Sequence, residues 1–502
     1  MAEIKQLAKE TAVYGVSSMV GKFLNWLLVP LYSYVLASSA DYGIVTHIYA
    51  WVALVIVVLT YGMETGYFRF ASEKTNDESQ ANRVYSTTLC SLAFTSLLFS
   101  ILIVLFRGNV ASALGYERHA EYIALMGVCV AMDAFDSIPF AYLRYKKRAA
   151  KFAIFKLLMV VVDIFFNIFF LVLCPLIADG SFGWMVNWFF DPDYGVGYVF
   201  VANIIGSTFV TLLLLPTILE AKFDFDGALL RKMLRYSMPI LLLGIVGIMN
   251  QTVDKILFPE IYPDKDNVMS ELGIYGACFK VAMVMMVFTN AFRYAYEPFV
   301  FHKYGTRNCK ESYSDAMKYF VIASLMIFLG MSFYMDVLQY VLDEQYRVGL
   351  KVVPFVLISY LFQGVVYNLS LWYKVVDKTY WGAIFSVIGL LINLGLQIWL
   401  IPILSYWACV WAAMACYFVI MVMSYFIGQK YYPINYQLGR IGLYVLLTVV
   451  LWSVGYYFVE VDNFVLRMTF RTVLLAVFCI VVVKLDLPLS EIPLVNRLVR
   501  NK

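Results

Sequence analysis

The sequence predicts an all-α polytopic membrane protein, and three observations carry that prediction. Of 502 residues, 62% are hydrophobic and only 14% charged, with a mean hydropathy of +0.77, which is more apolar surface than a water-soluble fold can hide. Apolar runs of the ~20 residues needed to cross a bilayer recur along the whole length. The runs are continuous, without the alternation of lipid-facing and lumen-facing residues that barrel strands require.

The runs fall at 11–37, 43–68, 85–106, 120–142, 153–177, 196–218, 234–258, 273–298, 316–338, 350–373, 381–402, 406–428, 441–459 and 466–484, which makes about fourteen helices. Lysine and arginine in short loops stay on the cytoplasmic side. With an inside N-terminus, inside loops and tails collect roughly 26 of the 38 Lys and Arg and outside loops roughly 5. The clearest contrast sets Arg144, Lys146, Lys147, Arg148 and Lys151 after the fourth span against the 178–193 loop, which has no basic residue. Both termini are therefore expected in the cytoplasm. The opening ten residues lack a cleavage site and read as an amphipathic lead-in with Ile4, Leu7 and Ala8 on one face. Trp184, Trp188, Phe189 and Phe190 in the 178–193 loop suit an interfacial aromatic belt.

Several function classes are disfavoured. The net charge of +4 follows from membrane topology and gives no reason to expect nucleic acid. Eight cysteines are scattered without a C-x-x-C and read as small core residues. Histidines at 47, 119 and 302 lie far apart, so no metal site is expected, and nothing implies a cofactor. Gly15 to Lys22 superficially resembles a phosphate-binding loop, but five residues separate its glycines where the motif has four, and Phe23 stands where Ser or Thr should. No loop is long enough for a nucleotide-binding domain.

Two segments half a chain apart nearly repeat: Asp41-Tyr42-Gly43-Ile44-Val45 and Glu271-Leu272-Gly273-Ile274-Tyr275. Ionisable residues interrupt the spans around both, Lys22, Glu64 and Arg69 about the first, Asp254, Lys255, Lys280, Arg293 and Glu297 about the second. Two related halves with charges at membrane depth fit a transporter whose site lies between the halves. Lys22 and Asn25 share a helix face ahead of Pro30; the lysine is a structural ion-pair partner, a snorkelling anchor or a cavity cation, and an unpaired one costs about 2.5–3.5 kcal/mol. Arg69 is either a positive-inside anchor or a cavity residue, and Glu64 either its partner or a titratable cavity group. Asn250, Gln251, Asp254 and Lys255 make a polar strip on a helix expected to begin after Pro239 and stop at Pro259. Asp254 and Lys255 splay about 100° apart, so each is expected to pair with another helix. Arg293 and Glu297 stand at i,i+4 as a local ion pair or as cavity groups. Asp133 and Asp136 share one face of the fourth span, and Lys156, Asp163 and Asn167 one face of the fifth. Lys156 either neutralises an aspartate or leaves the carboxylates free for proton or cation coupling.

Lys9-Glu-Thr-Ala-Val-Tyr14-Gly15, Pro30-Leu-Tyr32, Asp41 to Val45, Tyr61-Gly62-Met-Glu64 and Phe68-Arg69-Phe70 together resemble bacterial polysaccharide flippases of the O-antigen and capsule type. These share a superfamily with multidrug and toxin extruders and the lipid II flippase. The resemblance implies two six-helix bundles related by a pseudo-two-fold, at 1–218 and 234–428 about a cytoplasmic linker at 219–233, with two further helices and a tail at 429–502. It implies alternating access, with spans 1, 2, 7 and 8 lining the cavity. Those spans carry Lys22, Arg69, Lys255, Lys280 and Arg293 against Glu64, Asp254 and Glu297, a surplus of two positive charges. With Asn25 and Asn250, the basic residues are the expected substrate contacts; Glu64, Asp133, Asp136, Asp163, Asp254 and Glu297 are the expected gating or coupling groups. The implied cargo is an undecaprenyl-pyrophosphate-linked oligosaccharide, flipped across the bacterial cytoplasmic membrane, with H+ or Na+ as coupling ion and membrane lipids and other polysaccharide-assembly proteins as partners. Drug export and lipid II flipping are alternatives within the superfamily. A membrane glycosyltransferase or polymerase is the alternative outside it, with Asp191 and Asp193 as its acids, although Asp-Pro-Asp also reads as a turn.

Overall fold

The chain is described here by a computed structural model, at residues 19–72, 78–303, 308–457 and 463–486. The amphipathic lead-in, the Lys9 to Gly15 motif, the start of the first expected span and the C-terminal tail lie outside the described residues. Helices run through nearly all the rest: α1 (Leu28–Val35), α2 (Ser39–Thr60), α3 (Met63–Ala71), α4 (Glu78–Leu105), α5 (Ala120–Tyr145), α6 (Ala149–Ile168), α7 (Gly197–Leu219), α8 (Gly227–Ile261), α9 (Val268–Val281), α10 (Met283–Lys303), α11 (Cys309–Phe333), α12 (Val353–Leu369), α13 (Tyr380–Leu404), α14 (Trp407–Tyr431), α15 (Leu438–Tyr457) and α16 (Phe464–Asp486). Among the described residues 12 helices are long and apolar enough to cross a membrane, or 13 with α9 and α10 taken as one span bent by 46°. In lipid every backbone N–H and C=O must be satisfied within the chain, which is why the apolar runs resolve into helices.

Proline acts locally. The first span breaks at Leu27, and Pro30 sits in the first turn of α1, where its missing N–H costs nothing. Pro239 and Pro259, expected to bound the seventh span, both lie inside α8, which runs 35 residues from an Asp226 side-chain cap on the Ala228 and Leu229 N–H groups. One proline removes a single i→i−4 hydrogen bond; packing of α8 along α2 and α3 carries the helix past it.

The chain divides into two compact units: 1–277 with 393–409, and 278–392 with 410–502. In the first, Met63, Tyr67, Tyr85, Ile138, Tyr142 and Met233 form a core that joins α3, α4, α5 and α8. The two repeated segments also meet here. A Cβ built on Gly43 would lie 1.9 Å from the Met269 carbonyl oxygen, and one on Gly273 would lie 1.8 Å from that of Ser39. Only glycine permits this crossing of α2 and α9, the small-residue contact by which membrane helices approach most closely. Ser39 and Ser270 share a 2.5 Å hydrogen bond beside it, and Ser38 with Asp41 completes a capping box that starts α2.

In the second unit the last two helices are tied to α11 at both ends. Lys318, buried, reaches Asp486 at 2.9 Å and Gln437 at 3.2 Å, and Tyr444 also donates to Asp486. At the far end of α11, Asp336 accepts from Arg467 at 2.7 Å and Arg471 at 3.1 Å. Replacing Asp486 by alanine removes the nearer carboxylate and leaves the buried ammonium with Asp315 at 3.5 Å and Gln437, so the purified protein is expected to lose about 2 kcal/mol of stability. A lowered Tm in detergent checks this; an unchanged Tm would show the pair to be dispensable.

Candidate functional site

Among the described residues, four groups of polar and charged side chains hold most of the candidate site residues, three in the first unit and one in the second. The first starts from a broken helix. Tyr61 (φ 34°) and Gly62 (φ 70°) both take left-handed backbone between α2 and α3, and Tyr61 OH pairs with Ser91 Oγ at 2.7 Å. The new helix turns Glu64 toward α5, where it bonds Arg144, whose guanidinium lies 4.8 Å over the Phe68 ring. Arg69, the expected partner, stands five residues on, about 140° round the helix, and is exposed.

The second group is acidic and lies among α5, α6 and α7. Asp133 accepts from Ser207 at 2.8 Å, Asp136 from Thr211 at 2.7 Å and Asp163 from Asn167 at 3.1 Å. Tyr32 donates to Asn167 at 2.9 Å, and Asn203 to Tyr49 at 2.8 Å. Lys156, weighed as a neutralising partner, instead places its ammonium 4.1 Å over the Phe140 ring, and among the described residues it makes no ion pair. Asp136 Oδ1 is buried without a hydrogen-bond partner among the described residues. A carboxylate in that position is costly when charged.

The third group lies on α8, α9 and α13. Asp254 accepts from Lys255 at 2.7 Å and from Tyr275 at 2.6 Å, and Lys255 lies 5.3 Å from the Tyr275 ring centre. Sequence neighbours were expected to pair away from each other; the long lysine side chain folds back, so the two pair directly, and Tyr275 supplies the expected contact from another helix. Asn250 offers its carbonyl to Asn393 at 3.4 Å, and Gln397 donates to Asn393 at 2.8 Å. Asp254 Oδ1 and Gln397 Oε1 are buried acceptors without a hydrogen-bond donor among the described residues.

The fourth group, in the second unit, joins α10 to the turn after α12. Glu297 accepts from Arg293 at 3.2 Å, the expected i,i+4 pair, and from Lys374 at 2.7 Å. Arg293 also stacks 4.8 Å over the Tyr367 ring. Two cations thus share one carboxylate, and all three side chains keep 30–44% exposure. Lys22 and Lys280 are half-buried and Asn25 is exposed.

Sequence reasoning missed Arg144, Lys374, Asn393, Gln397 and Asn203. Arg144 and Lys374 stand at span ends, where a basic residue reads as an ordinary topology anchor. The Asn393 and Gln397 pair at i,i+4 was a usable signal of a polar face within an apolar span. Among the described residues no three His, Cys, Asp or Glu side chains converge as a metal site requires.

The model of the family described as "Polysaccharide biosynthesis protein" matches residues 7–302. The chain belongs to this polysaccharide biosynthesis protein family. A second family model, MatE, matches the chain at 269–399. Among solved structures, the fold is similar to a lipid II flippase MurJ in an inward closed conformation, with a TM-score of 0.73 and 13% identity over 94% of this chain and 99% of that one. An inward-facing multidrug resistance MATE transporter of the MOP superfamily matches with a TM-score of 0.66 and 12% identity, over 82% of this chain and 95% of that one. A MOP superfamily transporter from Pyrococcus furiosus, titled for the reversed polarity of its binding pocket, matches at 0.57 and 12% identity, over 84% and 96%. No curated protein matches by sequence. The chain therefore has the fold of these flippase and MATE transporter structures and is a multi-pass membrane protein.

Proposed function

We propose that the chain flips an undecaprenyl-pyrophosphate-linked oligosaccharide from the inner to the outer leaflet of a bacterial cytoplasmic membrane, by alternating access. The observation that carries this reading is the Arg293, Glu297 and Lys374 group. Charged side chains do not face hydrocarbon, so three half-exposed charges on α10 and the turn after α12 argue for a water-filled cavity. The group is one positive charge in surplus, and guanidinium with ammonium is the donor set that a pyrophosphate takes. Glu297 holds both cations in place without neutralising them. The polyprenyl tail stays in lipid.

Coupling is assigned to the acidic group. Asp136 has a buried oxygen without a hydrogen-bond partner among the described residues and Asp163 accepts from Asn167, and a carboxyl that is neutral when buried and ionised when hydrated links proton movement to a conformational change. Asp136→Asn is expected to lower pH-gradient-driven flipping tenfold or more while leaving glycolipid binding intact. Flipping that keeps its full pH-gradient dependence in both Asp136→Asn and Asp163→Asn would remove these residues from the coupling role.

The reading as a whole is tested in proteoliposomes that contain the purified protein and undecaprenyl-pyrophosphate-linked glycan. Flipping is expected with the glycolipid and not with a cationic dye. The MatE match at 269–399 favours drug export as the second reading, and the opposite result would adopt it. Transfer of sugar by the purified protein would favour the enzyme reading.

A further inference from the structure

A polar pocket of about 540 Å3 opens in the first unit where α4 begins, α5 ends and the segment between α7 and α8 passes. Its size lies within the ~300–1,000 Å3 of small-molecule sites. Tyr142 and Tyr145 line it with Ser79, Asn82, Lys146 and Lys222, and so do the carboxylates Glu78, Glu220 and Asp224.

Each carboxylate in this lining already has a basic partner. Lys146 holds Glu78 at 3.1 Å, Arg148 holds Glu220 at 2.6 Å and Arg83 holds Asp224 at 2.9 Å. Burial raises the Glu220 pKa, but the Arg148 hydrogen bond and charge outweigh it and keep the carboxyl below its usual range. The Glu78 hydrogen bond keeps Lys146 above the ordinary lysine value. Glu220 is therefore an ionised acceptor at neutral pH, and Glu78 and Asp224 offer carboxylate oxygens beside their basic partners. A bare phosphate would meet three of them, and a metal cation would have to displace three ammonium or guanidinium partners. An uncharged polyol suits the lining: carboxylate oxygens accept from its hydroxyls, Lys222 donates to them, and tyrosine rings cover its C–H faces. No carboxylate pairs with Lys222 among the described residues. Tyr145 also donates to the Ala71 carbonyl at the end of α3, the helix of Glu64 and Arg69, and Lys146 lies two residues from Arg144, within ~7 Å along the backbone.

We propose that this pocket is a carbohydrate subsite, which takes uncharged sugar rings of the lipid-linked glycan. The proposal rests on the flippase reading. It is tested with full-length protein in nanodiscs and two probes: the undecaprenyl-pyrophosphate-linked oligosaccharide extracted from the cells that carry the gene, and bare undecaprenyl pyrophosphate. Ser79→Trp fills the pocket without removing a recorded contact, and Lys222→Ala removes one donor at the surface; Tm reports the integrity of both. The wild type is expected to bind the glycan form about tenfold tighter than the bare carrier. Ser79→Trp abolishes that margin, Lys222→Ala reduces it about threefold, and neither changes bare-carrier binding. A wild type that binds neither probe overturns the flippase reading. A wild type that prefers the glycan form, with the margin intact in both variants, overturns the subsite alone, as does equal wild-type affinity for both probes. Loss of co-purified phosphatidylethanolamine in Ser79→Trp, with the glycan margin intact, assigns the pocket to a lipid headgroup and also overturns the subsite.

Discussion

Arg293→Ala is expected to abolish flipping of the glycolipid while the protein still inserts at wild-type levels. The guanidinium donates to Glu297 and stacks on Tyr367, so its loss removes a bidentate-capable donor from the proposed pyrophosphate site. Glu297 keeps Lys374, and no buried charge is stranded, which is why the fold survives. Hydrogen bonds to charged groups are worth ~1.5–3 kcal/mol each, so two lost to a phosphate amount to a hundredfold or more in affinity. Lys374→Ala is expected to cost about tenfold, as it removes a point charge and leaves the fork. Glu297→Gln tests the arrangement from the other side: it frees both cations, and flipping is expected to slow because substrate is released late. Full activity in Arg293→Ala would sink this site.

Gly273→Leu is expected to stop transport for a different reason. Even the Cβ would fall 1.8 Å from the Ser39 carbonyl oxygen, where backbone cannot yield without moving α2 from α9. Gly43→Ala forces the same separation from the partner helix, at 1.9 Å. Neither position touches a charged group, so glycolipid binding is expected to persist while the crossing cannot form. A cysteine placed at Ser39 or Ser270, which are hydrogen-bonded across the crossing, is expected to react with a membrane-impermeant thiol reagent only in the Gly273→Leu background. Normal flipping and unchanged labelling in Gly273→Leu would show that the crossing has no part in the cycle.

These two sites differ in how far they could be read from sequence. The repeated glycines stood out because Asp41 to Val45 and Glu271 to Tyr275 share a spelling, yet nothing in one dimension says that two similar segments pack on each other. Spans were legible because hydropathy acts over ~20 residues, and the family's flanking motifs pointed to the superfamily fold. Pairing was not. Glu64 has two arginines to choose from, and whether Arg69 or Arg144 meets it depends on the left-handed break at Tyr61 and Gly62. Lys156 was read by charge alone, whereas its place over Phe140 depends on aromatic packing between α5 and α6. Prolines misled at Pro239 and Pro259 because propensity is a local term and helix packing in α8 overrides it. Lys374 was hidden by its place at a span end, where most lysines only anchor topology.

The most direct measurement is the leaflet distribution of undecaprenyl-linked oligosaccharide in cells with and without this gene, read by whether an enzyme added outside can reach the glycan. Cells without it are expected to hold the glycolipid on the cytoplasmic leaflet, out of the enzyme's reach, with surface polysaccharide lost, and the wild-type gene but not Arg293→Ala restores access. Equal access in both strains, with surface polysaccharide intact, would contradict flipping of this cargo.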